Sequence, residues 1–423
     1  MSKIHKLLRE STTTQSSMVG RPNLVALTRA TTKLIFSDIV AQQRTNQPIA
    51  ALYGVKYLTP DNELSFNTGA TYSGAVGVEA RKNIPVFAVG DSFNKGDLFQ
   101  FEHVVYKAME DAPFTGATGT TETEQLSEAL ILLKIRIVSD AANVEHFEKS
   151  EDIAEAKFQV NKWNAAVKSR KIKSSLTVEL AQDIEAAGFD APNLLEDILA
   201  TEMADEINKD ILQSLMTVST RYKVEGVCDN GIIDLKYDNA PEAARKLYEL
   251  VCEMVSHIQR STSYTATYVV ASTRVAALLA GSGWLKHKPE DDAFLSPNAY
   301  GFLVNGLPVY CDTNTPADYV TVGVKEDFGG KEMVGSLFYA PYTEGLDLDD
   351  PEHVGVFKVI TDPDSLQPSI ALMVRYALCA NPYTVAADDK DARNIDASDM
   401  DKMAGRSDMS VLLGVKLPKI LAE

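Results

Sequence analysis

The feature that most restricts the fold is an apolar stripe near the middle of the chain. Leu195, Leu199, Met203, Ile207, Ile211 and Leu215 recur every four residues, and Leu194, Ile198 and Leu212 widen the stripe. Pro192 precedes it, and Asn193 with Glu196 has the spacing of a capping box, so the sequence predicts a helix from Asn193 to about Met216. Asp197, Glu202, Asp205, Glu206, Lys209 and Asp210 fall off the stripe and are expected on its wet side. A helix this long and this one-sided is a spine against which other elements must pack.

The rest of the chain is too long for one core. Its 423 residues, 45% of them hydrophobic, set a prior of about three domain-sized units. Lys and Arg number 41 against 59 Asp and Glu, a net charge of −18, which excludes a basic phosphate-binding face as the chain's main device. The four cysteines, Cys228, Cys252, Cys311 and Cys379, form no CxxC pair and read as free thiols of a reducing compartment. Lys3, Lys6 and Arg9 are followed by a polar Ser11–Ser17 run where a signal peptide needs apolar residues, and no apolar run reaches the roughly 18 residues of a membrane span. Synthesis in the cytoplasm is expected.

Along the chain, apolar residues from Leu24 to Val40 recur near helical spacing as far as Gln42, and Pro48–Leu58 reads as a strand. Residues 61–155 read as a small β-rich insertion, in which Thr115–Thr123 is a flexible loop and Leu130–Ile137 the clearest strand. Phe99, Phe101 and Tyr106 are either that insertion's own core or rings presented to a sugar or a protein groove. Residues 157–188 read as extended, broken by a basic knot of Lys168, Arg170, Lys171 and Lys173; this is a solvated turn, or a contact with an acidic patch on another subunit. A second unit begins near Tyr222. It has a helix through Ala244–Ile258, a strand Tyr264–Val270, a short helix capped by Ser272, and an Asn305–Gly306 hairpin turn. Strands at Leu337–Tyr339, Val356–Ile360 and Ile370–Tyr376 complete a sheet. Helices and strands mix without regular βαβ alternation, which makes the fold class α+β.

Motifs for chemistry are lacking. The sequence has no phosphate-binding loop, dinucleotide fingerprint, nucleophile elbow or HExxH pair. The acidic run Glu344–His353 lacks the fixed oxygen spacing of a calcium loop, and both it and Asp388–Asp401 read as solvated charge. The six histidines have no partners at diagnostic spacing. Neither a catalytic residue, a cofactor nor a metal is expected. A remote alternative is a polysaccharide-active enzyme that uses the carboxylates of Glu344–Glu352, with the insertion as its sugar-binding module.

The segments Arg21–Thr32, Gln47–Ala51, Trp284–Asp292, Phe338–Leu346 and Met403–Ser407 closely resemble the capsid vertex proteins of T-even-type tailed phages, pentamer-forming relatives of the hexamer-forming major capsid proteins. The likeness covers nearly the whole chain and is loosest from about Asn67 to Ser150. It implies the Hong Kong 97 phage-type capsid fold with a β-rich insertion. The parts would be a propeptide 1–10, an N-terminal arm and helix 11–45, an extended loop with peripheral-domain strands from 46–60 and 156–188, the insertion 61–155, a spine helix 189–221, an axial domain 222–328, and peripheral return strands with a C-terminal segment 329–423. In the family the insertion resembles a carbohydrate-binding module and clamps adjacent subunits.

The resemblance further implies a structural virion protein of the capsid shell, with no enzymatic activity, that forms homopentamers at icosahedral vertices beside major capsid protein hexamers. Internal scaffold and outer decoration proteins would be further partners. The alternative is the hexamer-forming major capsid protein of the same fold. Family members are matured by a phage protease that cuts after Glu in a Leu/Ile-x-Glu pattern. Leu8-Arg9-Glu10 fits, followed by the unstructured Ser/Thr run that a protease needs, so the cut is expected between Glu10 and Ser11. The tripeptides ending at Glu128, Glu155, Glu196, Glu249 and Glu423 match as well.

Overall fold

The computed structural model describes residues 35–58, 74–102, 104–142, 153–175, 177–179, 182, 191–236, 238–287, 298–328, 332–342, 356–361, 368–381 and 398–419. The long helix runs over Ala191–Val218, 28 residues. It starts earlier than the capping box predicts, so Asn193 lies inside its first turn, and Ser219–Arg221 continues directly as a strand.

Its packing follows from the four-residue spacing. Four residues turn an α-helix about 40° past one full revolution, so from Leu199 to Leu215 the stripe winds about 160° around the axis. The carboxyl-terminal half is therefore buried from two sides. Leu199, Met203, Ile207, Ile211, Leu212, Leu215 and Val218 are all buried, and so are the polar Asp205, Asn208 and Ser214. Asp205, expected in water, sits against the packed surface and holds Lys209 at 2.5 Å.

One side of the helix meets a five-stranded sheet. Pro368–Ala380 is its hub, paired antiparallel with Leu337–Pro341, Val356–Thr361 and Lys168–Ser175, while Ala41–Gln42 joins Leu337–Pro341 in parallel. Alternate residues Ile370, Leu372, Val374 and Tyr376 face the helix. The other side meets an eight-stranded sheet in the order Leu285–His287, Gly301–Leu303, Pro308–Asp312, Tyr268–Ser272, Tyr319–Gly323, Ser407–Lys416 and Ser219–Arg221, with Ile232–Asp234 also paired to Ser407–Lys416. Tyr268, Val270, Tyr310, Tyr319 and Leu412 of this sheet share one core with the helix and the first sheet. Val269, Ala271, Val320, Val322, Val411 and Leu413 point the opposite way, into a second core under helices Ala240–Thr262 and Thr273–Gly281. With both faces covered, Tyr268–Ser272 and Tyr319–Gly323 are buried at every position, which explains their apolar composition. The fold is thus α+β, as expected.

Several expectations need correction. Within 35–42 the helix is one turn, Phe36–Ile39, because Ala41–Gln42 finds a sheet edge to pair with; residues before 35 lie outside the described ones. The basic segment is a strand, not a turn, since Pro368–Ala380 offers it eight consecutive partners. Val178 and Glu179 are helical rather than extended. The strand expected at Tyr264–Val270 lies at Tyr268–Ser272. Ser407–Lys416, read as part of a C-terminal segment, lies within the eight-stranded sheet between Tyr319–Gly323 and Ser219–Arg221. Ser272 is the N-cap residue of Thr273–Gly281, although its hydroxyl bonds Asp318 instead of the helix backbone. The Asn305–Gly306 turn is as expected, with Gly306 at φ +88.

Ile49–Leu58 and Lys157–Ala166 form a two-stranded ribbon of ten pairs, whose inner end packs Leu52, Trp163 and Ala165 on the five-stranded sheet. The insertion, described over 74–102, 104–142 and 153–155, has its own three-stranded sheet of Leu98–Phe101, Val104–Ala108 and Ile135–Ile137. Its core is aromatic, with Phe87, Phe93 and Phe99 buried and Phe114 packed on them. Residues expected as loop and strand there instead form a helix, Glu122–Ile131, which opens on a capping box: the Thr121 hydroxyl accepts from Glu124 N–H, and the Glu124 carboxylate accepts from Thr121 N–H.

Because one cluster joins the helix to both sheets, Leu215→Ala should lower global stability by about 2–5 kcal/mol, as cavities at sites buried this fully do. Denaturant unfolding followed by far-UV circular dichroism and by tyrosine fluorescence measures the loss; a change under 1 kcal/mol would contradict the shared core.

Candidate subunit-contact surface

The basic strand Lys168–Ser175 lies over the long helix, and the pleat divides its cations between two environments. Arg170 points toward the helix. Its Nε donates to the Tyr376 hydroxyl at 2.6 Å, its Nη2 lies 3.0 Å from Asp210 and its Nη1 3.5 Å from Glu206. The Tyr376 hydroxyl in turn donates to Asp210 Oδ2 at 2.6 Å. Burial works against the charge on Arg170, but the hydrogen bonds and charges of Tyr376 and Asp210 outweigh it and push its pKa up. Burial, reinforced by the bond to Asp210, likewise pushes the Tyr376 phenol up. Arg170 therefore ties strand to helix within the subunit. The basic run did not disclose these partners; the acidic pair Glu206 and Asp210, four residues apart on one helical face, was the available signal.

Lys171 and Lys173 stand on the strand's other face, in register with Met373 and Ala371, and Lys168 sits at its end; all three are exposed. Beside them Arg375 lies 4.3 Å from the ring centre of Tyr342. Lys171 and Lys173 are thus held on one exposed face of the sheet, whereas Lys168, at the strand's end, has the parity of Arg170.

The other candidate residues resolve differently. Phe99 is fully buried, and Phe101 and Tyr106 pack around it, with Tyr106 stacked at 5.6 Å; these rings are the insertion's core and are not displayed to a sugar. Leu8, Glu10 and Ser11 lie outside the described residues, as does Glu344–His353. Of the competing cleavage tripeptides, those ending at Glu128, Glu196 and Glu249 lie on helices, whereas Ile153-Ala154-Glu155 is irregular, with Ile153 and Glu155 exposed and Ala154 half-buried. Cys228 and Cys379 are buried and Cys252 and Cys311 half-buried, and no disulfide joins them. Among the described residues no group of three or more His, Cys, Asp or Glu is placed to hold a metal, and no helix is long and apolar enough to cross a membrane. The buried carboxylate of Asp312 takes Tyr319 OH at 2.7 Å and Asn314 N–H at 2.8 Å, which fixes the loop after its strand.

A profile of the family described as "Major capsid protein Gp23" matches residues 17–415. The chain is 68% identical over 426 residues to the "Capsid vertex protein" of Enterobacteria phage T4 and to that of Escherichia phage AR1, covering all of both chains in each case. Its identity to the "Major capsid protein" of Enterobacteria phage T4 is 27% over 415 residues, 88% of this chain and 77% of that one. Among solved structures, "The capsid of Myoviridae Phage XM1" aligns with 95% of this chain and 100% of its own at 10% identity and a TM-score of 0.40. The chain is a capsid protein. More specifically, it belongs to the Major capsid protein Gp23 family.

The two groups of cations should respond differently to mutation. Arg170→Ala strands Asp210 and Tyr376 and should cost about 1–3 kcal/mol of subunit stability. The double variant Lys171→Ala/Lys173→Ala should stay within about 0.5 kcal/mol, as exposed substitutions do. Denaturant titration of the purified subunit separates the two; equal losses would contradict the division.

Proposed function

We propose that this chain is the vertex subunit of a tailed-phage head, forming homopentamers at the five-fold positions of an icosahedral shell. The observation that carries the reading is full-length identity of 68% to two capsid vertex proteins, against 27% to the major capsid protein of the same phage T4. A shell subunit needs rigid bodies that fix contact angles and protruding elements that reach neighbours. The helix-bridged sheets supply the first; the ribbon Ile49–Leu58/Lys157–Ala166 and the insertion supply the second. The implied fold is of the Hong Kong 97 phage type, with the long helix as its spine.

In this reading the subunit's neighbours are other copies of itself and hexamers of a major capsid protein, with scaffold and decoration proteins as further partners. It is made in the host cytoplasm and ends in the virion. Lys168, Lys171 and Lys173 contact an acidic surface of a neighbour, on a strand whose position Arg170 fixes. A prohead protease cuts between Glu10 and Ser11, with Leu8 in its recognition pattern. That cut removes Lys3, Lys6, Arg9 and Glu10, a net +2, and takes the charge from −18 to −20.

Electron microscopy of heads tests the assignment: this chain should be found at five-fold positions, and density at six-fold positions would make it the hexamer-forming subunit. Intact-mass measurement of the chain from mature heads should give an amino terminus at Ser11. A terminus at Met1 would refute the processing step, and one at Ala156 would move it to the irregular tripeptide Ile153–Glu155.

A further inference from the structure

We propose that the cavity between the end of the long helix and the Thr313–Pro316 turn receives a carboxylate side chain from a second copy of this chain, held by Arg221. The proposal rests on the shell reading above and names a contact within it.

The cavity has a volume of about 720 Å3, within the roughly 300–1,000 Å3 span of sites that hold small ligands. Lys209, Gln213 and Met216 line it from the helix, Thr313–Pro316 from the turn, and Arg221 completes it. No Asp or Glu is among its lining residues, although the chain carries 59 acidic residues against 41 basic ones. Lys209 is neutralised by Asp205 at 2.5 Å. Arg221 has no carboxylate partner among the described residues.

Both walls are fixed. The buried Asp312 carboxylate accepts the N–H of Asn314 and the hydroxyls of Thr315 and Tyr319, which holds the turn against its strand. On the other side the helix is anchored in the shared core through Leu212 and Leu215.

Arg221 is itself held in place. It ends the edge strand Ser219–Arg221, in register with Leu412. Its Nη1 donates to Met216 C=O and to Ser219 C=O, both at 2.8 Å. Its stem lies against Gly231, φ +71, where an added Cβ would come within 3.1 Å of Arg221 Cβ. A guanidinium has five N–H donors, and Nη1 accounts for two of them. The three on Nε and Nη2 make no hydrogen bond to the described residues. Those two nitrogens form the side of the fork that takes a carboxylate through two parallel bonds. Desolvation alone lowers the Arg221 pKa, with no carboxylate acting in the other direction.

Ring geometry identifies the source of the carboxylate. In a closed ring each copy meets the next through two different surfaces, a receptor on one and its complement on the other. A cavity free of acids on an acidic chain is suited to be the receptor, and carboxylates are what the rest of the chain has in excess. A fork gripping a carboxylate fixes direction as well as distance, which a shell contact requires.

Sedimentation velocity of the full chain over a concentration series should show the association midpoint shifted at least tenfold upward in Arg221→Gln. Arg221→Lys keeps the charge but not the fork and should fail to restore the wild-type midpoint. Arg221→Gln also loses two bonds to backbone carbonyls, so Gln213→Glu serves as the second variant. It leaves those bonds in place and puts a carboxylate of the same subunit into the cavity. Its melting temperature should equal that of the wild type while its midpoint rises as in Arg221→Gln. An unchanged midpoint in Gln213→Glu overturns the proposal and leaves the shell reading intact. In electron-microscopic maps of heads, an Asp or Glu of another copy should lie within hydrogen-bond distance of Arg221. A carboxylate of a different capsid chain, a small anion, or solvent alone at that place overturns the proposal. Heads that lack this chain altogether overturn the shell reading as well.

Discussion

Everything in this subunit depends on a helix that is buried from two sides. Had its apolar residues been confined to one straight stripe, it would cover one sheet and leave the other to find its own support. The winding stripe lets Ile211, Leu212 and Leu215 share a single core with residues of both sheets. Dense packing across that core fixes the angle between the sheets, because close-packed interiors transmit displacement and do not absorb it. In a shell, where a subunit's neighbours are set by angles, this rigidity is a geometric requirement. The polar groups reinforce it: Arg170, Asp210 and Tyr376 lock one sheet to the helix, and Asn208 accepts the N–H of Ile35, which draws the segment before Ala41–Gln42 into the same core.

Much of this architecture was legible in the sequence where a single period dominated. The long helix, the helix Ala240–Thr262, the ribbon strands and the Asn305–Gly306 turn all carry local signals that tertiary structure leaves unchanged. Legibility failed where the partner decides the state. Ala41–Gln42 has helical neighbours in sequence and becomes a strand because Leu337–Pro341 presents an open edge. Lys168–Ser175 has the composition of a solvated turn and is a strand because Pro368–Ala380 pairs with it. The insertion's helix is hidden differently: its capping box, Thr121 to Glu124, lies in a Gly- and Thr-rich stretch whose composition is that of a loop.

The candidate contact surface was half legible. A cluster of four cations in an acidic chain stands out, but composition does not show which of them points inward. The pleat decides it, sending Arg170 to Asp210 and Glu206 and leaving Lys171 and Lys173 outward. The same alternation explains why Phe99 cannot serve as a displayed ring: it faces Phe87 and Phe93 in a core small enough to need every aromatic residue it has.

The place of Ser407–Lys416 has a consequence for how such a subunit comes into being. It separates Tyr319–Gly323 from Ser219–Arg221, two strands already on the ribosome's far side when it is made. Until residue 416 has emerged, both cores lack a wall, since Leu412 belongs to one and Val411 and Leu413 to the other. Folding of the sheet therefore waits on translation, and a chain cut short before this strand has no finished surface to offer its neighbours.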